Sequence, residues 1–181
     1  MRGMITEALQ EKIKSVRVLI LDVDGVLTDG KIIVDDAGRE TKNFNVADGH
    51  GLKMLMRYEV EVIFLTGRTS QVVNHRALDL GVNEVYQGVW NKLEVFEEII
   101  RKKHIAAAET AFVGDDVVDV PVLRRVGFSA TTAEAPTDLK NVVDYITHRQ
   151  GGGGAVREIC DIILKAQGKW PEVAAKYELI N

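Results

Sequence analysis

Apolar positions along the chain fall into two patterns that alternate from the amino terminus onward. Three runs are short, almost continuously apolar and rich in β-branched residues, which is typical of strands buried on both faces of a sheet. They cover residues 16–21, 60–65 and 110–113. Between these runs the apolar residues recur at helical spacing. This alternation predicts βαβ units and an α/β fold, in which helices flank a parallel sheet.

Turn and capping residues define further elements. Shorter strands are predicted at residues 84–86, 127–130 and 144–147, and helices at residues 52–58, 70–80, 92–103, 120–126 and 155–167. Asp48 and Asn91 are predicted to cap the helices that follow them, and Gly81 to end the helix before it. The glycines at 151–154 predict a flexible hinge.

Two extended runs flank an Asp-Asp-Ala-Gly turn shortly after the first strand. They cover residues 31–34 and 39–46. Such a pair around turn residues predicts a β-hairpin, which forms a small flap over about residues 30–46.

Composition limits the class of protein. The 181 residues are 46% apolar, which suits one domain over residues 1–181 with a C-terminal tail over about residues 168–181. A net charge of −4 gives no indication of nucleic-acid binding, and no apolar run approaches the length of a membrane span. Residues 1–15 lack the apolar core of a signal peptide and suit a short polar helix or tail, so we expect a cytoplasmic location. The single cysteine, Cys160, cannot form an internal disulfide.

Polar side chains of particular types follow the three core strands. Asp22 and Asp24 follow the first strand, Thr66 follows the second, and three carboxylates follow the third, at Asp115, Asp116 and Asp119. Because the carboxyl ends of parallel strands meet at one edge of a sheet, these groups are expected to converge there. Taken alone, the Asp-x-Asp-Gly segment is also compatible with a solvated turn.

A hard divalent cation would offset the repulsion among five carboxylates, and ligands that are all oxygen favour Mg²⁺. Thr66 and Lys92 are donors suited to a phosphoryl group. An aspartate can attack phosphorus and form an aspartyl-phosphate. A second carboxylate two residues further on can protonate the leaving oxygen and later activate water.

Four segments, in this order, resemble the signature motifs of the haloacid-dehalogenase-like phosphatases: Asp22–Gly25, Thr66–Arg68, Lys92 and Gly114–Asp119. The resemblance implies a Rossmann-like sheet. It also implies a role for each matching residue: Asp22 as nucleophile and metal ligand, Asp24 as general acid and base with its carbonyl on the metal, Thr66 as phosphoryl hydrogen-bond donor, Lys92 as support for the nucleophile and the phosphate, and Asp115 as metal ligand.

Asp116 and Asp119 are less well defined by the resemblance. They would hold metal-bound water or orient Lys92, and a helix-capping role remains open for both. Asp24 is informative in another way, since relatives that retain their aspartyl-phosphate carry threonine there. A carboxylate at this position implies turnover.

Three further segments resemble the 3-deoxy-D-manno-octulosonate 8-phosphate phosphatases: Asn43–Gly51, Tyr86–Lys92 and Gly151–Glu158. This resemblance implies hydrolysis of that acidic sugar phosphate in lipopolysaccharide biosynthesis. It also implies a homotetramer whose subunits close one another's sites, with a tail that can reach a neighbouring site. The gaps between the motifs are too short for a cap domain, which leaves the hairpin or a neighbouring subunit as the cover.

An acidic sugar substrate calls for a cationic group that binds its carboxylate. Arg68 is the first candidate, because arginine binds carboxylates in a bidentate manner, and a surface salt bridge is the alternative. Gly67 and Lys92 are expected to contact the substrate. His50 could donate to a substrate hydroxyl, with an ordinary surface histidine as the alternative.

Other functions remain open at this point. The same scaffold serves nonulosonate 9-phosphates, and non-catalytic assembly domains related to it occur fused to sugar-acid cytidylyltransferases. A nucleotide or protein phosphatase is disfavoured only by the resemblance. The intact set of Asp22, Asp24, Thr66 and Lys92 favours an enzyme over an assembly domain.

Overall fold

Six parallel strands form the central sheet of the computed structural model, which describes residues 5–179. In chain order the strands are β1 Val18–Leu21, β2 Ile33–Val34, β3 Glu40–Thr41, β4 Glu61–Leu65, β5 Glu84–Tyr86, β6 Thr110–Val113, β7 Phe128–Thr131 and β8 Tyr145–Ile146. The helices are α1 Glu7–Lys14, α2 Val46–Arg57, α3 Gln71–Leu80, α4 Lys92–Lys103, α5 Val120–Leu123, α6 Thr137–Lys140, α7 Ala155–Ala166 and α8 Trp170–Lys176. The sheet order is β5-β4-β1-β6-β7-β8, which confirms the predicted α/β fold.

Strand β1 lies inside the sheet and is buried on both faces. Leu19 and Leu21 belong to the core that includes α2 and α7, whereas Val18 and Ile20 belong to the opposite core with Phe96 of α4. Burial of each such side chain stabilises the fold by about 1.5–3 kcal/mol. The continuous apolar run seen in the sequence therefore reflects helices packed on both faces.

The register of β1 sets the level of the sheet edge. Leu21, its last residue, pairs with Phe64 of β4 and with Val113 of β6. The backbone N–H of Asp22 donates to the carbonyl of Val113 at 3.0 Å. The residues that follow the three strands thus emerge at the same edge of the sheet.

Helix α2 begins earlier than the sequence predicted, and Asp48 does not cap it. The side chain of Asn45 caps α2 by accepting from the backbone N–H of Ala47 at 2.7 Å. Asp48 lies inside the first turn of α2 and accepts from the backbone N–H of Arg157 at 2.7 Å. It therefore stabilises the amino-terminal turn of α7, a helix that is distant in sequence.

The glycine segment 151–154 packs against the loop that follows β1, in contrast to the predicted flexible hinge. The N–H of Gly152 donates to the carbonyl of Val26 at 3.0 Å, and Asn45 donates to the carbonyl of Gly152 at 3.3 Å. A Cβ atom on Gly151 would lie 1.9 Å from the carbonyl oxygen of Gly25. Glycine is needed there because two backbone segments approach each other closely.

Strands β2 and β3 form a two-stranded antiparallel hairpin that is separate from the main sheet. Asp35 orders its turn by accepting from the backbone N–H of Arg39 at 2.9 Å. Ile32 and Val34 are exposed on the hairpin. Its strands are shorter than the two extended runs predicted from the sequence. In chain order, the hairpin comes between β1 and α2.

Helix α8 and Tyr177, which follows it, lie against α2. Val173 and Ala174 of α8 are buried, and the hydroxyl of Tyr177 accepts from Nη1 of Arg57 at 3.0 Å. Residues 1–4 of the predicted amino-terminal segment and residues 180–181 of the tail lie outside the described residues. Within residues 5–179, no helix combines the length and the apolar character needed to cross a membrane.

Candidate active site

A cavity of about 730 Å³ opens at the carboxyl ends of β1, β4 and β6. Nearly every site residue predicted from the sequence lines it: Asp22, Asp24, Thr66, Gly67, Arg68, Lys92, Asp115 and Asp116. Trp90 also lies on its wall and is 91% exposed. The parallel sheet has therefore brought four separate segments of the chain to one place.

Asp22 follows β1 directly and is almost fully buried. Its Oδ1 accepts from the backbone N–H of Val23 at 2.7 Å, and its Oδ2 lies 2.9 Å from Nζ of Lys92. Burial raises the pKa of Asp22 to about 6, and the cation of Lys92 opposes that rise. The carboxylate is thus fixed in orientation and only lightly solvated, which suits a nucleophile.

Lys92 is the first residue of α4, and Asn91 caps that helix as predicted. The ammonium of Lys92 lies 2.6 Å from Oδ1 of Asp119, in addition to its contact with Asp22. Burial alone would lower the pKa of Lys92, but the two carboxylates outweigh it and raise the pKa. Lys92 is therefore a permanent cation placed beside the nucleophile.

Asp119 is completely buried and uses both of its oxygens. Its Oδ1 accepts from Lys92, while its Oδ2 accepts from the backbone N–H groups of Asp115 and Asp116 at 3.0 and 3.2 Å. Asp119 thus orients Lys92 and caps the loop after β6. Asp116 is exposed and accepts from the N–H of Val117.

Three carboxylates are close enough to share one cation. Oxygens of Asp22, Asp115 and Asp119 lie within 4.8 Å of one another. Burial, and next the charge of Asp22, raises the pKa of Asp115 to about 7. A donor set made only of carboxylate oxygens fits Mg²⁺. Since Asp22 and Asp115 line the cavity and Asp119 does not, Asp22 and Asp115 are the side chains better placed to bind the ion.

Asp24 turns its carboxyl group away from this cluster. Its Oδ1 accepts from Nζ of Lys42, and its Oδ2 lies 3.6 Å from Nε of Arg68. Among the described residues, Oδ2 of Asp24 is one of few buried side-chain oxygens without a hydrogen-bond partner. Any metal contact from Asp24 would therefore come from its backbone carbonyl, as the family resemblance implies.

Lys42 is a site residue that the sequence analysis missed. It follows β3 in the hairpin, its side chain is 1% exposed, and it also lies 3.4 Å from Oε1 of Glu40. A single lysine between Thr41 and Asn43 resembles an ordinary exposed hairpin residue. No local pattern distinguishes it, because its carboxylate partner lies eighteen residues away in the chain.

Thr66 and Arg68 come from the segment that follows β4, and both line the cavity. Thr66 directly follows β4, is buried, and donates its backbone N–H to the carbonyl of Tyr86 at 2.9 Å. Nη2 of Arg68 donates to Oε1 of Glu40 at 3.0 Å, so the guanidinium bridges the hairpin and Asp24. Arg68 remains half exposed and accessible from the cavity.

His50 lies outside the residues that line this cavity. It is located within α2, where its ring packs edge-on against Tyr177 with 5.6 Å between the ring centroids. Burial lowers the pKa of His50, and the cations of Arg157 and Arg57 lower it further. Within one chain, His50 therefore packs against the C-terminal segment.

The sequence is similar to a known protein family and to named phosphatases. Residues 77–159 match a family model described as haloacid dehalogenase-like hydrolase. The chain is 45% identical over 170 residues to the 3-deoxy-D-manno-octulosonate 8-phosphate phosphatase KdsC of Salmonella typhi, which covers 94% of this chain and 90% of that protein. The corresponding enzyme of Escherichia coli K12 is 44% identical over the same length.

The fold is also similar to solved structures of 3-deoxy-D-manno-octulosonate 8-phosphate phosphatases. A 3-deoxy-D-manno-octulosonate 8-phosphate phosphatase from Moraxella catarrhalis, crystallised with magnesium, phosphate and the sugar acid, has a TM-score of 0.91 and 38% identity. The match covers 93% of this chain and 97% of that one. The phosphatase from Yersinia pestis also has a TM-score of 0.91, with coverage of 93% and 91%.

Proposed function

Because the chain belongs to the 3-deoxy-D-manno-octulosonate 8-phosphate phosphatases of the haloacid dehalogenase-like hydrolases, we propose that it hydrolyses this sugar-acid phosphate. The products are 3-deoxy-D-manno-octulosonate and inorganic phosphate. The observation that carries the proposal is the cavity in which Asp22, Asp24 and Lys92 face Arg68. This constellation combines groups for phosphoryl transfer with a cation suited to the substrate's carboxylate.

In the first step, an oxygen of Asp22 attacks phosphorus while the bond between phosphorus and the ester oxygen breaks. The electron pair of that bond stays on the leaving oxygen, which takes a proton from Asp24 and departs as an alcohol. The phosphoryl group is now an aspartyl-phosphate on Asp22. Lys92, 2.9 Å from Oδ2 of Asp22, lowers the negative charge that the incoming phosphate meets.

In the second step, Asp24 removes a proton from a water molecule. The water oxygen attacks phosphorus, and the bond between phosphorus and Asp22 breaks with its electron pair returning to the carboxylate. Inorganic phosphate leaves, and Asp24 is protonated again for the next cycle. Thr66 donates a hydrogen bond to the phosphoryl group in both steps, in keeping with its buried position at the cavity wall.

Mg²⁺ bound by Asp22, Asp115 and the carbonyl of Asp24 would neutralise charge on the phosphoryl oxygens. Oδ2 of Asp119 accepts from the backbone N–H of Asp115 at 3.0 Å and so holds the backbone of Asp115 in place. Asp116 is exposed beside this loop, which suits contact with metal-bound water. The raised pKa values of Asp22 and Asp115 support this assignment, because a divalent cation would offset the burial of both carboxylates and the repulsion of Asp115 by Asp22.

Substrate recognition is assigned to the wall formed by Gly67 and Arg68, together with Lys92. Arg68, whose side chain is half exposed, can pair with the carboxylate of the sugar acid by giving up its 3.0 Å contact with Glu40. His50 retains a substrate role only if a neighbouring subunit brings it to a site, since it lies outside the cavity of its own chain.

We also propose that the chain acts as a homotetramer in the cytoplasm, in lipopolysaccharide biosynthesis. Exposed apolar side chains at the hairpin and at the cavity mouth support an assembly: Ile32, Val34, Trp90, Val117 and Val118. Burying these side chains against neighbouring subunits would both stabilise the assembly and close an open cavity.

One experiment distinguishes the proposed function from two alternatives, a nonulosonate 9-phosphate phosphatase and a non-catalytic assembly domain. Phosphate release would be measured with Mg²⁺ from 3-deoxy-D-manno-octulosonate 8-phosphate, a nonulosonate 9-phosphate and neutral sugar phosphates. Preference for the eight-carbon acid supports the proposal, and preference for the nine-carbon acid supports the related phosphatase. An Asp22→Asn variant is the control, because it keeps the shape of the site without a nucleophile. Equal rates for wild type and variant would indicate a non-catalytic assembly domain.

A further inference from the structure

The hairpin contributes a buried cation to a site that is otherwise built from the edge of the sheet. Nζ of Lys42 donates to Oδ1 of Asp24, and the Lys42 side chain is 1% exposed. Oε1 of Glu40, a residue of β3 two positions before Lys42, lies 3.4 Å from Nζ of Lys42 and 3.0 Å from Nη2 of Arg68. The four side chains form one chain of charges from Asp24 through the hairpin to Arg68.

Such a pair is a poor way to stabilise a fold. Removing two charges from water costs several kcal/mol, and a well-packed apolar pair of the same size is often equally stable or better. The pair of Lys42 and Asp24, whose side chains are 1% and 22% exposed, is therefore better explained by a role in the chemistry than by stability alone.

The two oxygens of Asp24 differ in their surroundings. Oδ1 accepts a hydrogen bond from an ammonium, which has donors only and cannot accept. Oδ2 is buried, has no hydrogen-bond partner and belongs to a side chain that lines the cavity. A proton carried by Asp24 must therefore reside on Oδ2, which lies 3.6 Å from Nε of Arg68.

We propose that Lys42 is a positioning residue that occupies Oδ1 of Asp24 and so directs Oδ2 toward the leaving oxygen. The inference rests on the proposed function, because it concerns the proton transfer to the departing alcohol. It adds that the hairpin holds the side chain of Asp24 in the rotamer needed for its roles as acid and then as base. A hairpin displaced from the site would leave Asp24 free to rotate.

The role of Lys42 can be tested by comparing esters whose leaving groups differ in their need for a proton. An alkoxide needs a proton as it departs, whereas nitrophenolate leaves without one. We would measure the first-turnover release of the leaving group from p-nitrophenyl phosphate and from the primary alkyl phosphate that the wild type cleaves fastest. First-turnover rates report the step that forms the aspartyl-phosphate and exclude its later hydrolysis.

Lys42→Met should slow release of the alkyl alcohol by about 100-fold, the usual contribution of general acid catalysis, and release of nitrophenolate by less than about tenfold. Lys42→Arg keeps the cation and should recover part of the alkyl rate. Lys31→Met is the matched control, since Lys31 is an exposed hairpin lysine paired with Asp29. It should behave as wild type on both esters.

Two outcomes would overturn the inference while leaving the phosphatase intact. Equal losses on both esters in Lys42→Met would indicate a general structural role. Unchanged rates on both esters would mean that Asp24 needs no such partner. If the wild type cleaves neither ester, the proposed function itself is wrong, and the inference about Lys42 falls with it.

Discussion

Nζ of Lys92 lies 2.6 Å from Oδ1 of Asp119, and neither side chain has appreciable contact with solvent. This pair joins the amino terminus of α4 to the loop after β6. The same Asp119 carboxylate accepts from the backbone N–H of Asp115, so one side chain sets both the cation beside the nucleophile and the loop of a proposed metal ligand.

Asp119→Ala should therefore affect both stability and activity. Removing one member of a buried ion pair typically costs about 3 kcal/mol of unfolding free energy. Here the buried ammonium of Lys92 would keep only Asp22 as a carboxylate partner, and the backbone N–H groups of Asp115 and Asp116 would lose their acceptor. Loss of Lys92 and Asp115 from their positions should also lower kcat by about 100-fold. Urea unfolding and phosphate release would measure the two effects. Asp116→Asn is the control for stability, since Asp116 is exposed, and a loss as large as that of Asp119→Ala would contradict this account.

The metal-free protein should lose stability as the pH rises through the range in which Asp22 and Asp115 ionise. Their pKa values, about 6 and about 7, exceed the ordinary value of 3.8 expected in the unfolded chain. A raised carboxyl pKa contributes stability that is complete below the unfolded value and is lost as pH rises through the folded value.

Under the proposed function, Mg²⁺ would bind the ionised carboxylates of Asp22 and Asp115 and should reverse this loss. We expect Mg²⁺ to raise the Tm more at about pH 8 than at about pH 5, where protons compete with the metal. Thermal unfolding with EDTA or with Mg²⁺ would show this. Asp115→Asn should abolish most of the increase, and an equal increase at both pH values would argue against a site formed by these two residues.

Gly25 has a φ angle of +82°, and a Cβ atom there would lie 1.9 Å from Oδ2 of Asp115. Gly25→Ala should therefore displace Asp115 and lower kcat/KM by about 100-fold, as small misplacements in active sites do. Gly81→Ala is a closely matched control, because Gly81 has a φ of +81° with nothing within 4 Å of the added atom.

Both alanine variants carry the backbone strain of the left-handed region, about 1–2 kcal/mol. Their unfolding free energies should therefore fall by a similar amount from strain alone, while only Gly25→Ala should lose activity and affinity for Mg²⁺. If Gly81→Ala were equally inactive, the loss would come from general destabilisation.

Arg68→Met should raise the KM for the sugar-acid phosphate by about 10- to 100-fold, which corresponds to one charged hydrogen-bonded contact. The KM for p-nitrophenyl phosphate should change little, because that ester has no carboxylate. Steady-state kinetics with both esters would measure the difference. Arg68→Lys should give an intermediate KM, since lysine offers a point charge in place of a planar fork. A parallel rise for both esters would assign Arg68 to the phosphate.

Much of the architecture follows from the sequence because its signals are local. Buried strands need continuous apolar runs, and parallel strands must end at one edge, so the positions of Asp22, Thr66 and Asp115 could be anticipated together. Asn91 and Gly81 also act as predicted, at the start of α4 and the end of α3. Each of these inferences depends on neighbours within a few residues.

Other features were decided only by tertiary structure. Asp48 caps α7 and not its own helix, and the glycine segment 151–154 packs against Gly25 where a hinge was predicted. Lys42 reaches Asp24 only because the hairpin folds over the sheet edge. These contacts join residues that are far apart in the chain, and their free energy depends on burial and exact distance. By itself, the sequence determined which strands end in reactive groups, whereas long-range packing decided which side chains those groups meet.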